Sequence, residues 1–494
     1  MSNKQASYRT IIKSTSIFGG VQLIQIIISI IKVKFLAVLL GPTGMGISNL
    51  YLSSFNVISS VVGLGLAFSS VREISLALEA NQLIKIYRII KIVTRWLILS
   101  SVLGITFTII FAPLLSEITF GSINYSGAFI SLSIIIIFNA LSTANNSILQ
   151  GMLRIKNLAS SKTLGSILGL ITSIPIYYFY GVKGIIPVII LSSLITLVVS
   201  EYYKYQIERE NALISIKETF YEGKNMVNLG VLMVFSTFIS TLFTFIINSY
   251  ISNNGSLETV GLYQAAQNMT IQYFSLIFSA MGLDFYPRLS ASSNDNSKVR
   301  ILVNEQTEIL LLIIIPLLIM FLLVAPFMIK LTLSSNFISM TPLVRLITLG
   351  MAFKAMTFAV GYISFAKGDR KTYFIMEGLF GNFVTLILSI VLFHYWGLIG
   401  IGVSILLASI IYLFVITIVT KIKYNFQFSE SVIRILLISI FFSSSTFLIV
   451  NFSTHKLSLI SGITVFFFSA YYSIYHLNKK IGLKDFFLGK INKS

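Results

Sequence analysis

Four cations lie inside apolar runs long enough to cross a bilayer: Lys32, Lys34, Arg345 and Lys354. A charge at mid-bilayer costs about 2.5–3.5 kcal/mol on the lenient insertion scale, so it lines a cavity, meets a partner or snorkels to the surface. Lys354 is near the middle of its run. Lys32 shares a helical face with Gln22, Gln25 and Ser29, whereas Lys34 points almost oppositely on the same helix. Arg345 falls near the outer end of its run, where snorkelling accounts for it. The nearest acids, Glu201, Asp284 and Glu377, sit within a turn or two of the inner ends, so no acid shares the depth of Lys32 or Lys354. Such a cavity suits a phosphate or diphosphate. Structural pairing of a lysine with Glu377 or Asp284 is the plainer alternative.

Amide and hydroxyl stripes run beside these cations. Asn139, Ser142, Thr143, Asn146, Ser147 and Gln150 share one face. Asn49, Ser53, Asn56 and Ser60 share a second, and Gln264, Gln267, Asn268, Gln272 and Ser275 a third. Any single stripe reads equally well as glue between membrane helices. Four stripes, counting that of Lys32, favour a water-filled cavity, with Gln25, Asn146, Gln267 and Asn268 as candidate binding groups beside Lys32, Lys34 and Lys354.

The elements that must position these groups follow from hydropathy. The 494 residues are 55% hydrophobic and 11% charged, with a mean hydropathy of +0.89. Repeated apolar runs of about 18–25 residues match a bilayer core crossed by helices, and they do not alternate as membrane strands would. The fold class predicted is all-α integral membrane with about 14 transmembrane helices. The N-terminal run after Lys4, Arg9 and Lys13 extends to Leu40, too long for a cleaved leader, and reads as a first span.

Of 36 Lys and Arg, only Lys183, Lys330 and Lys456 fall in outer loops once both termini are placed in the cytoplasm, as the positive-inside rule requires. That distribution explains the net charge of +19 without nucleic acid. The absence of Cys removes thiol chemistry and Cys-based metal sites. The three dispersed histidines, His394, His455 and His476, do not have ligand spacing. No metal or other cofactor is expected.

An internal repeat organises the spans. Tyr180-Gly-Val-Lys-Gly resembles Trp396-Gly-Leu-Ile-Gly at an offset of 216, aligning Gly181 with Gly397 and Gly184 with Gly400. Arg72 and Arg288 keep that offset, and Lys162-Thr163 pairs with Lys371-Thr372 at 209. The expected organisation is a six-helix lobe over 1–203, a cytoplasmic linker over 204–225, a second six-helix lobe over 226–420, and two further helices with a basic tail over 421–494. The lobes are expected to relate by a pseudo-twofold axis along the membrane normal.

Leu40, Gly41, Pro42 and Gly46 close the first span after a basic residue, Lys34 or Lys32. This L-G-P-x-x-x-G pattern resembles Wzx-type polysaccharide (O-antigen) flippases of the MOP/MATE-like superfamily, which also contains lipid II flippases. Those relatives often have Arg at the basic position. Physically, Gly41 ends a helix and Pro42 prevents its continuation. The resemblance covers the twelve spans of the two lobes. It implies movement of an undecaprenyl-diphosphate-linked oligosaccharide across the bacterial cytoplasmic (inner) membrane by alternating access, in lipopolysaccharide biosynthesis. Cations would hold the diphosphate and amides the sugar hydroxyls. Membrane lipid, a polysaccharide polymerase and a chain-length regulator are the implied partners. A proton or sodium gradient is the implied energy source, with Asp284 and Glu377 as coupling candidates.

Two other readings share the hydropathy. A MATE-type exporter of cationic drugs needs a carboxylate in its cavity. A membrane polysaccharide polymerase, an enzyme, needs large outer loops bearing catalytic groups. The longest outer loops here, near 113–123 and 331–340, hold one acid, Glu117. No G-x-x-x-x-G-K-[ST] sequence is present to supply an internal ATPase.

Overall fold

The computed structural model describes residues 2–206, 214–452 and 455–481. The side chains of residues 2–23, 229, 232, 233, 236, 280, 283, 284, 452, 455–459 and 481 lie outside it. Every regular element described is helical, as lipid demands of a chain that must satisfy its own backbone polar groups. Among the described residues, eight helical stretches are long and apolar enough to cross a membrane; Ile155–Tyr205 and Arg370–Tyr424 are among them and each contains a sharp reversal. Within the apolar runs, turns at residues 63–65, 111 and 133–134 interrupt the helices.

Packing divides the chain into two compact units. The first runs to Gly261 and takes in Thr332–Ser334; the second holds Leu262–Leu331 and Ser335–Ser494. Within the first, α1 (Ser2–Val62) is broken at Gly41, whose φ of 67° and ψ of −171° favour glycine. The expected helix stop is thus a sharp reversal between two helices. Past it, a Cβ on Gly46 would collide with the carbonyl of Leu257, and one on Gly261 with that of Pro42. Two glycines therefore permit backbone-to-backbone contact there.

The first unit continues through α2 (Leu66–Glu79), α3 (Leu83–Ile110), α4 (Ala112–Phe120), α5 (Ser126–Leu132), α6 (Ile135–Gly151), α7 (Ile155–Tyr180), α8 (Ile185–Tyr205) and α9 (Ile216–Asn254). The expected boundary at 204–225 lies inside this unit, because α9 packs on α1, α2, α3 and α4. The start of α9 is fixed by a capping box between Ser215 and Glu218. Ser215's backbone and hydroxyl hold the Glu218 carboxyl below its ordinary range. Arg88 reaches Glu222 at 2.7 Å, and Trp96 Nε1 donates to the Thr219 carbonyl at 3.1 Å.

The second unit comprises most of α10 (Leu257–Ala291), then α11 (Asn296–Thr332), α12 (Thr341–Ala366), α13 (Arg370–Tyr373), α14 (Gly381–Tyr424), α15 (Glu430–Phe452) and α16 (His455–Ile481). Helices α11 and α12 supply much of its buried apolar core. Arg345 does not snorkel: it is buried, with Nη1 donating to Asn451 Oδ1 at 2.8 Å and Nε to the Leu322 carbonyl at 3.3 Å. Glu308, also buried, pairs with Lys480 of α16.

The repeat is visible in the backbone. Leu153 (φ 56°) and Gly368 (φ 69°) both take the left-handed conformation between consecutive helices, at an offset of 215. Further on, Gly181 (φ 54°, ψ −135°) and Gly397 (φ 57°, ψ −136°) make the same reversal at an offset of 216. Gly184 crowds the Ile176 carbonyl and Gly400 that of Leu392, again at 216. One extra residue therefore lies between Asp369 and Gly397 in the second unit. The π-helical stretch Phe374–Phe380 falls in that interval and widens its turn to absorb it. The pairing of Lys162 with Lys371 at 209 is overturned, since Lys162 lies two turns into α7 while Lys371 is in the first turn of α13.

Candidate functional site

Along α12 the residues from 343 to 364 are buried or half-buried with one exception, Lys354, which is exposed. Its neighbours Ala352, Ala355 and Met356 are all buried. An exposed lysine in the middle of an otherwise enclosed membrane helix faces a water-accessible interior surface rather than lipid. Among the described residues its ammonium makes no hydrogen bond or ion pair, while its carbonyl accepts from Thr357 Oγ1 at 3.1 Å.

Two turns further along the same face is Gly361, where a Cβ would collide with Glu377 Oε1. The notch left by glycine admits the carboxylate. Glu377 is carried by the π-helical stretch Phe374–Phe380, the kind of local widening often found at functional sites. Tyr412 Oη of α14 donates to Glu377 Oε1 at 2.5 Å. Tyr362 and Tyr373 lie within electrostatic reach of the carboxylate, as does Lys354. The expectation that no acid is available to Lys354 is corrected: Glu377 is close enough to feel its charge, although the two form no ion-pair contact. A carboxylate and a phenol sharing one hydrogen bond beside a lysine can bind, hold or pass on a proton or a small cation.

The other candidates are more dispersed. In the first unit, Gln25, Lys32 and Lys34 are half-buried on α1. Asn146 is taken up by packing, its Oδ1 accepting from Ser161 Oγ at 3.3 Å. In the second unit, Gln267 Nε2 donates to Tyr263 Oη at 3.2 Å, its Oε1 is buried without a partner among the described residues, and Asn268 is exposed. The side chain of Asp284 lies outside the described residues. Tyr412 escaped sequence reasoning, as did Asn145, whose Nδ2 donates to Ser200 Oγ at 3.1 Å and Glu201 Oε2 at 2.9 Å. The one-residue insertion near Glu377 shows in the backbone offsets of 215 and 216, and no sequence signal marked it.

A family model described as "Polysaccharide biosynthesis protein" matches residues 35–342. No curated protein matches the chain. Among solved structures, the lipid II flippase MurJ in an inward closed conformation is similar with a TM-score of 0.70 at 15% identity, over 95% of this chain and 99% of that one. An inward-facing multidrug resistance MATE family transporter of the MOP superfamily is similar at 0.69 and 16% identity, over 81% and 94%. A MOP superfamily transporter from Pyrococcus furiosus, described as having a binding pocket of reverse polarity, is similar at 0.56 and 16% identity, over 83% and 94%. At such identities these likenesses establish the fold.

Proposed function

The chain belongs to the polysaccharide biosynthesis protein family, and from that premise we propose that it is a flippase for an undecaprenyl-diphosphate-linked oligosaccharide of the O-antigen repeat-unit type. It works by alternating access in the bacterial cytoplasmic membrane, with both termini in the cytoplasm. The carrying observation is Lys354, an open cation in the middle of an enclosed span. It binds the diphosphate, whose several acceptor oxygens match an ammonium's three donors. Lys32 is the corresponding candidate in the first unit, with Lys34 as its control on another face. Gln25, Asn146, Gln267 and Asn268 are candidates for sugar hydroxyls. Glu377, hydrogen-bonded to Tyr412, is the coupling group for a proton or sodium gradient, and Asp284 is the other candidate. The polymerase and chain-length regulator that extend the exported unit are its expected partners.

The test is glycan display at the cell surface in strains carrying Lys32→Ala, Lys34→Ala or Lys354→Ala at matched protein level. Loss of display in the Lys354 variant, with lipid-linked oligosaccharide accumulating inside, supports the reading; normal display from both Lys32→Ala and Lys354→Ala overturns it. Orientation is checked separately. Cysteines at Ser122 and Asn253 should react with impermeant thiol reagents in intact cells, and one at Ser297 should not.

Glu377 also keeps the cation-exporter reading in play, because an exposed carboxylate is what a MATE-type site needs. Lys354 beside it opposes a cationic ligand. Drug susceptibility unchanged by deleting the gene would set that reading aside.

A further inference from the structure

One face of α12 carries a row of rings below Lys354. Phe358, Tyr362 and Phe365 follow at four, eight and eleven residues, which keeps them within about a quarter-turn of the lysine's side of the helix. Phe358 and Tyr362 are half-buried, and Phe365 is exposed. The row is continuous with its neighbours. Phe358 and Tyr362 are 5.2 Å apart between ring centroids, Tyr362 and Tyr286 of α10 are 5.9 Å apart, Tyr286 and Phe365 4.9 Å, and Phe365 and Tyr373 5.0 Å. Phe278 is buried and stacks behind Phe358 at 5.1 Å, fixing that ring from below.

A core stripe would be closed over, and a lipid-facing stripe would not share its face with a mid-span lysine and border a carboxylate. This row is partly open and polar at its edges, through Lys354, Glu377 and the tyrosine hydroxyls. We infer that the aromatic row formed by Phe358, Tyr362 and Phe365, with Tyr286 and Tyr373, is the track on which the saccharide of the substrate lies while Lys354 holds the diphosphate. This rests on the flippase reading and names the part of the protein that distinguishes a sugar-bearing lipid from a bare one. A pyranose presents C–H groups on its faces and hydroxyls around its rim. Aromatic faces take the former, and hydroxyl or carboxylate neighbours take the latter. The rings cover about 10 Å along α12, and about 16 Å separates Lys354 from Phe365, which suits a short oligosaccharide better than a single sugar. Stacking of this kind depends little on which hydroxyls are axial, so the track selects for saccharide as a class.

The test uses the full-length protein in nanodiscs and two probes: lipid-linked oligosaccharide extracted from cells lacking this protein, and undecaprenyl diphosphate. Wild type should bind the sugar-bearing lipid at least tenfold more tightly than the bare one. At roughly threefold per ring, the Phe358→Leu, Phe365→Leu double variant should lose about tenfold toward the sugar-bearing lipid and nothing toward the bare diphosphate. Lys354→Ala should weaken both alike. If the double variant is not recovered folded, Phe365→Leu alone, at an exposed position, should lose about threefold of the preference. Full preference retained in either variant overturns the track while leaving the flippase reading intact. Wild type binding neither probe overturns the flippase reading itself, and the track with it.

Discussion

The hairpin entered through α5 and α6 in the first unit and the one entered through α12 in the second are built on one plan, with different groups at matching positions. In the first, Asn146 reaches Ser161 across the two helices at 3.3 Å. In the second, the matching positions hold Gly361 and Glu377, and the space given up by the missing side chain is filled by the carboxylate. Asn139 is matched by Lys354, and Thr196 by Tyr412, the donor to Glu377. Gly165 packs on Thr196 as Gly381 packs on Tyr412, so the helix contacts are preserved beneath the exchange. A neutral amide–hydroxyl hairpin and a charged one can thus share a backbone, and the helix packing does not depend on the polar chemistry it carries.

The largest effect should come from the cation position. Lys354→Ala is expected to weaken binding of the diphosphate lipid by roughly one to two powers of ten, whereas Asn139→Ala at the matching place should cost about threefold or less. Equal losses from the two, measured as surface glycan at matched protein level, would dissolve the contrast.

Exchanging the chemistry sharpens it. A Gly361→Asn, Glu377→Ser double variant gives the second hairpin the polar pair of the first. It should insert and fold, yet lose any dependence of transport on a proton or sodium gradient, read by imposing each gradient on proteoliposomes. Gradient dependence that survives the exchange would remove Glu377 from coupling.

Smaller effects are expected in the loops. Gly368→Leu should destabilise by about 1–2 kcal/mol, because a branched residue must then adopt a positive φ. Leu153→Gly, relieving that strain in the first hairpin, should stabilise by about 1 kcal/mol. Thermal unfolding in detergent reads both, and a stability change of the same sign in the two variants would contradict the matched backbone.

Last comes the cap. Asp369 accepts from the Thr372 backbone N–H at 3.0 Å and from its hydroxyl at 2.7 Å. Those bonds to Thr372, with Tyr424 and Lys423 adding to them, hold its carboxyl far below the usual range. A depressed folded-state value stabilises the protein fully above the ordinary carboxylate value of about 4 and loses that contribution as the pH falls below it. Asp369→Ala should therefore cost about 1 kcal/mol at neutral pH and less in acid, while Arg154→Ala, at the matching uncapped position, should show no such pH dependence.

The spans were legible because lipid forces long apolar runs into helices, and the reversals at Gly41, Gly181 and Gly397 because a glycine flanked by apolar helices has few other reasons to be there. The break at residues 133–134 was not, since a lone Ser133 is equally at home inside a membrane helix and Ile134 carries no turn chemistry. Lys354 was legible as a cation in the middle of an apolar span, but its tie to Glu377 depends on a one-residue insertion hidden in low-complexity apolar sequence. Arg345 was misread because nothing near it in sequence announces Asn451, which lies on another helix. Asn146 was read as a cavity group although its partner, Ser161, stands only one loop away.

The last two helices can be weighed as an appendage or as a part of the core. Glu308 and Leu322, about 21 Å apart along α11, mark two polar fastenings. At one, buried Glu308 pairs with Lys480 of α16; at the other, Arg345 joins the Leu322 carbonyl to Asn451 of α15. Removing α15 and α16 would strand a carboxylate and a guanidinium in apolar surroundings, a loss on the order of 3–5 kcal/mol for the Glu308 ion pair and about 1.5–3 kcal/mol for the Arg345 hydrogen bond to Asn451. The extension is therefore not detachable, and whatever displacement α11 makes during a transport cycle, α15 and α16 are carried with it as passengers.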